Sequence, residues 1–107
     1  MSKSQRDKGA AGEREAAALL TDLLGVPAIK RRLSQTRDGG YDLDVMGVAV
    51  EVKRKERIAL PQWVRQATEA GSEADKLAAV IHRTNRAPWL VTMSVDDWCA
   101  LIREAQG

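Results

Sequence analysis

The chain has 107 residues, 44% of them hydrophobic and 30% charged, with a formal net charge of +2. This balance excludes a disordered chain and fits one domain, residues 1–107, with a modest core that needs no covalent staples. A single cysteine, Cys99, excludes an internal disulfide and points to a reducing, cytoplasmic setting. The polar N-terminus lacks the apolar core of a secretion signal, and no apolar run approaches the ~18 residues that a membrane span needs.

Residues 1–8 read as a loosely held start. A first helix is expected from Ala10 to Leu24, with Ala16, Leu19, Leu20, Leu23 and Leu24 as its apolar stripe and Gly25 and Pro27 as its stop. Glu13 lies on the flank of that stripe, in line with Ala17, Leu20 and Leu24, whereas Glu15 is turned away. A carboxylate on a packing side is unusual. It either serves a site or simply places negative charge in the first helical turn. Ala28 to Leu33 can form a strand, and Ser34 to Gly40 a polar, glycine-ended loop. The loop's hydroxyls, amides and Arg37 are suited to phosphate contacts, or to an ordinary surface.

Tyr41 to Lys53 reads as two short strands joined by a turn at Met46-Gly47, with Leu43, Val45, Val48, Val50 and Val52 alternating against polar residues. If Val45 pairs with Val48, Asp42 falls opposite Glu51, and Asp42, Glu51 and Lys53 share one face. The Cβ atoms of the two carboxylates then lie about 4.5–5.5 Å apart, with Lys53 roughly 6.6 Å further along its strand. Carboxylates that close repel. Either Lys53 neutralises them as a salt bridge, or a hard divalent ion with oxygen ligands sits between them. Asp44 shares the face but stands opposite Ala49, and is set aside. Met46 is the weak point, because tight hairpin turns favour Asn or Gly where φ is positive.

Basic residues flank this hairpin. Lys30, Arg31, Arg32 and Arg37 precede it, and Lys53, Arg54, Lys55 and Arg57 end it with Glu56 alone among them. Such clusters draw a polyanion toward the carboxylates, or are solvated strand edges. A second helix is expected from Pro61 to about Gly71, with Trp63, Val64, Ala67 and Ala70 inward and Gln66 beside them. Strands follow over Lys76–His82 and Pro88–Met93, and His82 reads as a strand-end residue with no partner for a metal site. Ser94, with Asp97 three residues on, caps a last helix whose Trp98, Leu101 and Ile102 are expected to face inward, with Cys99 a buried thiol. The element order implies an α/β fold, a mixed central sheet flanked by helices.

Asp42, followed nine residues on by Glu51-Val52-Lys53, after a helix bearing Glu13, resembles the core of the PD-(D/E)xK nucleases, with Tyr41 in place of the signature proline. Lys8-Gly9-Ala10-Ala11-Gly12-Glu13-Arg14-Glu15 is similar to the helix that opens archaeal-type Holliday junction resolvases, and the brevity of the chain to phage versions. The resemblance covers residues 8–57 and implies a restriction-endonuclease-like core. It implies Asp42, Glu51 and the Val52 carbonyl as ligands of Mg²⁺ or Mn²⁺, Glu13 as a further ligand or water holder, Lys53 as the residue orienting the attacking water, and Gln66 as an auxiliary contact. Arg14, Arg31, Arg32, Ser34, Arg37, Arg54 and Lys55 become the candidate DNA contacts. The implied substrate is DNA, foremost a four-way junction, cut by a homodimer whose interface involves Trp63, Trp89 or Trp98. The alternatives are a nicking, single-strand or repair nuclease on the same fold, and a catalytically silent DNA- or partner-binding protein.

Overall fold

The computed structural model describes residues 3–30 and 40–107, with side chains placed for 9–28 and 40–107. The elements are α1 (Lys3–Leu24), β1 (Ile29–Lys30), β2 (Leu43–Val45), β3 (Val48–Arg54), α2 (Leu60–Glu73), β4 (Ala78–Arg83), β5 (Leu90–Thr92) and α3 (Val95–Gln106). The five strands form one sheet in the order β1-β2-β3-β4-β5, all antiparallel except β3 with β4. The crossover between those two parallel strands is α2, as a parallel pair requires. The expected α/β class is the observed one.

The first helix starts at Lys3, so residues 3–8, expected to be loosely held, have helical backbone. Gln5, Arg6 and Lys8 are good helix formers, and neither Gly9 nor Gly12 suffices to stop the helix. It ends at Gly25, whose φ of +72° and amide bond to the Thr21 carbonyl make a left-handed cap. The hairpin register is the expected one: Val45 pairs with Val48, Asp44 with Ala49 and Leu43 with Val50. Met46 (φ +51°) and Gly47 (φ +88°) are both left-handed, the geometry of the favoured two-residue turn. Asp44 supplies what Met46 lacks, since its Oδ1 accepts from the Gly47 amide at 3.0 Å.

Strand alternation sorts the core into two layers. Val50, Val52 and Ile81 pack with Leu43, Val45 and Ala16 under α1. On the opposite face Ala78 and Val80 pack with Trp63 and Ala67 of α2. Glu51 pairs with Val80 and so belongs to the α2 face. Gly71 allows α2 to close on β4, for a Cβ there would lie 2.8 Å from the Lys76 carbonyl oxygen.

The last helix departs from expectation. Ser94 caps it as expected, its Oγ accepting from the Asp97 amide at 3.1 Å. Yet α3 buries no residue: Trp98 is 54% exposed, Ile102 42%, and Leu101 and Cys99 are half-buried. Amphipathic spacing marks an apolar side without saying what covers it, and α3 follows the outermost strand of the sheet, β5. Of the three tryptophans expected at a dimer interface, Trp63 is buried and Trp89 packs against the α1 core layer, so Trp98 alone is widely exposed. No helix among the described residues is long and apolar enough to cross a membrane.

Candidate active site

Strand β2 begins at Leu43, and Asp42 just before it extends the pairing with β3. Its amide donates to the Val50 carbonyl at 3.0 Å, and its Oδ2 accepts from the Val52 amide at 2.9 Å. Asp42 thus brackets Glu51 from both sides and sets its carboxylate beside that of Glu51. The juxtaposition expected from the register is present.

Glu51 is only 4% exposed. Burial raises its pKa from an ordinary 4.5 to about 8, helped by the negative charge of Asp42, a hydrogen bond with Asp42 and the charge of Glu13. Lys53 opposes the shift, its Nζ 3.8 Å from Glu51 Oε2, but that distance is beyond a hydrogen bond. Burial and the neighbouring carboxylates therefore outweigh the lysine. The salt-bridge explanation of the hairpin accounts for the position of Lys53 and leaves the excess negative charge unbalanced. The upward shift favours a proton held by the pair over two adjacent negative charges.

A divalent cation fits this donor set, because it would replace that proton and neutralise both oxygens at once. Among the described residues no group of three or more His, Cys, Asp and Glu is arranged to hold an ion. The protein side chains would therefore be the pair Asp42 and Glu51, leaving other positions to backbone, water or phosphate, as Mg²⁺ prefers. Glu13, half-buried on α1, acts at Glu51 through its charge.

The remaining candidates are dispersed. Gln66 is exposed on α2, on the flank of the face that buries Trp63 and Ala67. Arg14 and Lys55 are exposed. Arg54 turns to the α1 face, where its guanidinium stands 3.9 Å from Glu15 and its Nε is buried without a hydrogen-bond partner. Arg31, Arg32, Ser34 and Arg37 lie outside the described residues.

Three groups were not evident from the sequence. Glu15 binds Arg83 and accepts from Trp89 Nε1 at 3.2 Å. Asp44 pairs with Lys76, which also donates to the Tyr41 hydroxyl at 2.7 Å, and Lys76 holds the Asp44 carboxyl below its usual range. His82 is buried next to Lys53 in register, bonded to Thr92 Oγ1 at 2.8 Å and 5.8 Å from the Trp63 ring, and burial lowers its pKa. His82 reads from the sequence as a strand-end residue, and its partners come from distant segments.

A helix packed on a mixed sheet, with an aspartate and an ExK run brought together across a hairpin, defines the PD-(D/E)xK nuclease class. The family model described as "Phage putative PDDEXK endonuclease" matches residues 4–106, and the chain belongs to that family. The family is one of nucleases, hydrolases whose substrate is DNA. No curated protein and no solved structure gives a significant match.

Proposed function

We propose that this chain, acting as one nuclease domain inside the cell, hydrolyses DNA phosphodiester bonds with the aid of Mg²⁺ or Mn²⁺ held by Asp42, Glu51 and the Val52 carbonyl. The observation that carries this reading is the buried Glu51 carboxyl, set beside Asp42 across the hairpin with the Lys53 Nζ 3.8 Å away. The bound ion would supply charge at the scissile phosphate and a more acidic water. Asp42 and Glu51 hold that charge in place, with the Val52 amide fixing the Asp42 carboxylate. Lys53 orients the attacking water and offsets negative charge growing on the phosphoryl oxygens. Glu13 holds a water or a further ion from α1, and Gln66 is an auxiliary contact from α2. Arg14, Arg54 and Lys55, with Arg31, Arg32, Ser34 and Arg37, contact the DNA backbone, a role that positions without reading sequence.

Within this class of activity, branched DNA is the proposed substrate, foremost the four-way junction, cut by a two-fold dimer. The exposed apolar residues Leu90 and Val91 on edge strand β5, and Val95, Trp98 and Ile102 on α3, support a self-association surface. An edge strand offers its open backbone groups to a copy of itself.

The test offers synthetic four-way junctions, plain duplex and single strands to the purified protein with Mg²⁺, alongside Glu51→Ala and Lys53→Ala. Cutting that needs both residues and favours junctions supports the whole reading. Equal cutting of the three substrates removes the junction and keeps the nuclease. Junction binding without any cutting removes the enzyme. Light scattering on Trp98→Glu tests the dimer: an unchanged mass removes that surface.

A further inference from the structure

Gly12 and Ala16 are the line along which α1 rests on the sheet. Both are buried, and a Cβ on Gly12 would lie 3.1 Å from Arg54 Cβ, so helix and strand approach closely there. At 100° per residue, Glu13 and Glu15 fall roughly 80° to either side of that line. They straddle the contact and lean toward opposite edges of it.

Glu15 leans toward the ends of β3 and β4. Its carboxylate meets the Arg83 guanidinium, stands 3.9 Å from that of Arg54, and accepts from Trp89 Nε1 at 3.2 Å. Arg83 in turn lies over the Trp89 ring at 5.6 Å. One carboxylate thus fastens α1 to β3, to β4 and to the residue preceding β5. Glu13, on the other flank, leans toward the hairpin, where its charge is felt at Glu51.

We propose that Glu15 is a positioning residue: its attachment to Arg54, Arg83 and Trp89 fixes the roll of α1 about the Gly12–Ala16 line and so sets the distance from Glu13 to the Asp42–Glu51 pair. The lever is short. With side chains ending about 5–6 Å from the helix axis, a 20° roll moves Glu13 by about 2 Å, enough to change how strongly its charge acts at the pair. Arg54 and Arg83 meet Glu15 from the sheet, one from β3 and one from β4.

The inference rests on the proposed metal site for its consequence, and its test separates the two. Glu15→Gln keeps the acceptor for Trp89 and discards the ion pairs. Amide hydrogen exchange on the metal-free protein reads the attachment alone. Exchange at residues 9–16 is expected to accelerate at least tenfold in Glu15→Gln, with β3 and β4 unchanged; equal protection in variant and parent overturns the proposal. Calorimetry with Mn²⁺ then compares Glu13→Gln, Glu15→Gln and the double variant. Each single variant is expected to weaken Mn²⁺ binding several-fold, with the double no weaker than Glu13→Gln. Effects that multiply, or an unaltered affinity in Glu13→Gln, overturn the link between the two residues. If the parent binds no Mn²⁺, the metal site fails and the coupling to Glu13 fails with it, while exchange still decides whether Glu15 holds the helix.

Discussion

Replacing Glu51 by glutamine should make the metal-free protein more stable, by an amount that grows with pH. The folded carboxyl titrates at about 8 against an ordinary 4.5, so between those values the native state holds a proton that the unfolded chain has lost. Stability of the parent is therefore full below about pH 4.5 and falls as pH rises toward 8, at up to 1.36 kcal/mol per pH unit. By pH 7 the loss amounts to about 3 kcal/mol, a substantial part of what a domain of this size possesses. Glutamine keeps the shape and a donor for Asp42 but carries no proton to lose. Urea unfolding at pH 5, 6, 7 and 8 measures the difference, which should widen by about 3 kcal/mol and correspond to roughly 10 °C in Tm at neutral pH. Parallel stability curves for the two proteins would refute the assignment of Glu51 as a buried, proton-holding carboxyl. Saturating Mn²⁺ should close most of the gap, because the ion replaces the proton in the parent and finds a poorer site in the variant.

Mn²⁺ binding at pH 7 should release close to one proton, seen as a calorimetric enthalpy that varies with the ionisation enthalpy of the buffer, and Asp42→Asn should abolish it. Met46→Asn should stabilise the hairpin by about 1 kcal/mol, since Met46 is held at φ +51° with its side chain 71% exposed; thermal unfolding reads the gain. Gly71→Ala should cost about 2 kcal/mol or more in urea unfolding, because its Cβ would lie 2.8 Å from the Lys76 carbonyl oxygen and 2.9 Å from Ala78 Cβ.

The parts of the fold read correctly from the sequence are those made by neighbours. Alternation through Leu43–Val52 specified both strands and their register, and with it the meeting of Asp42 and Glu51. Arg83 and Trp89 lie 68 and 74 residues from Glu15, and Lys76 is 32 residues from Asp44, so no local period records them. Helical spacing did set Glu15 apart from the apolar stripe. It could not say that arginines from the sheet come to meet it. For α3 the same spacing identified an apolar side and wrongly assigned it to this molecule's own core, since a period reports amphipathicity and not the surface opposite. Arg54 is expected among the DNA contacts from its place beside the ExK run, which does not reveal that Glu15 stands 3.9 Å from its guanidinium on the α1 face.

The hairpin and the crossover that buries its carboxylate close over very different lengths of chain. Asp42 and Glu51 come together within one local turn, a closure that takes about 1–10 μs. The burial of Glu51 waits on β4 and α2, which arrive only after the chain has crossed over, a slower and longer-range step. A hairpin formed ahead of that crossover would bring the carboxylates together in water, and the docking of α2 and β4 is what removes Glu51 from it. Burial of this carboxyl is thereby linked to proton uptake, so the acidity of the solution acts on the balance between folded and unfolded chain.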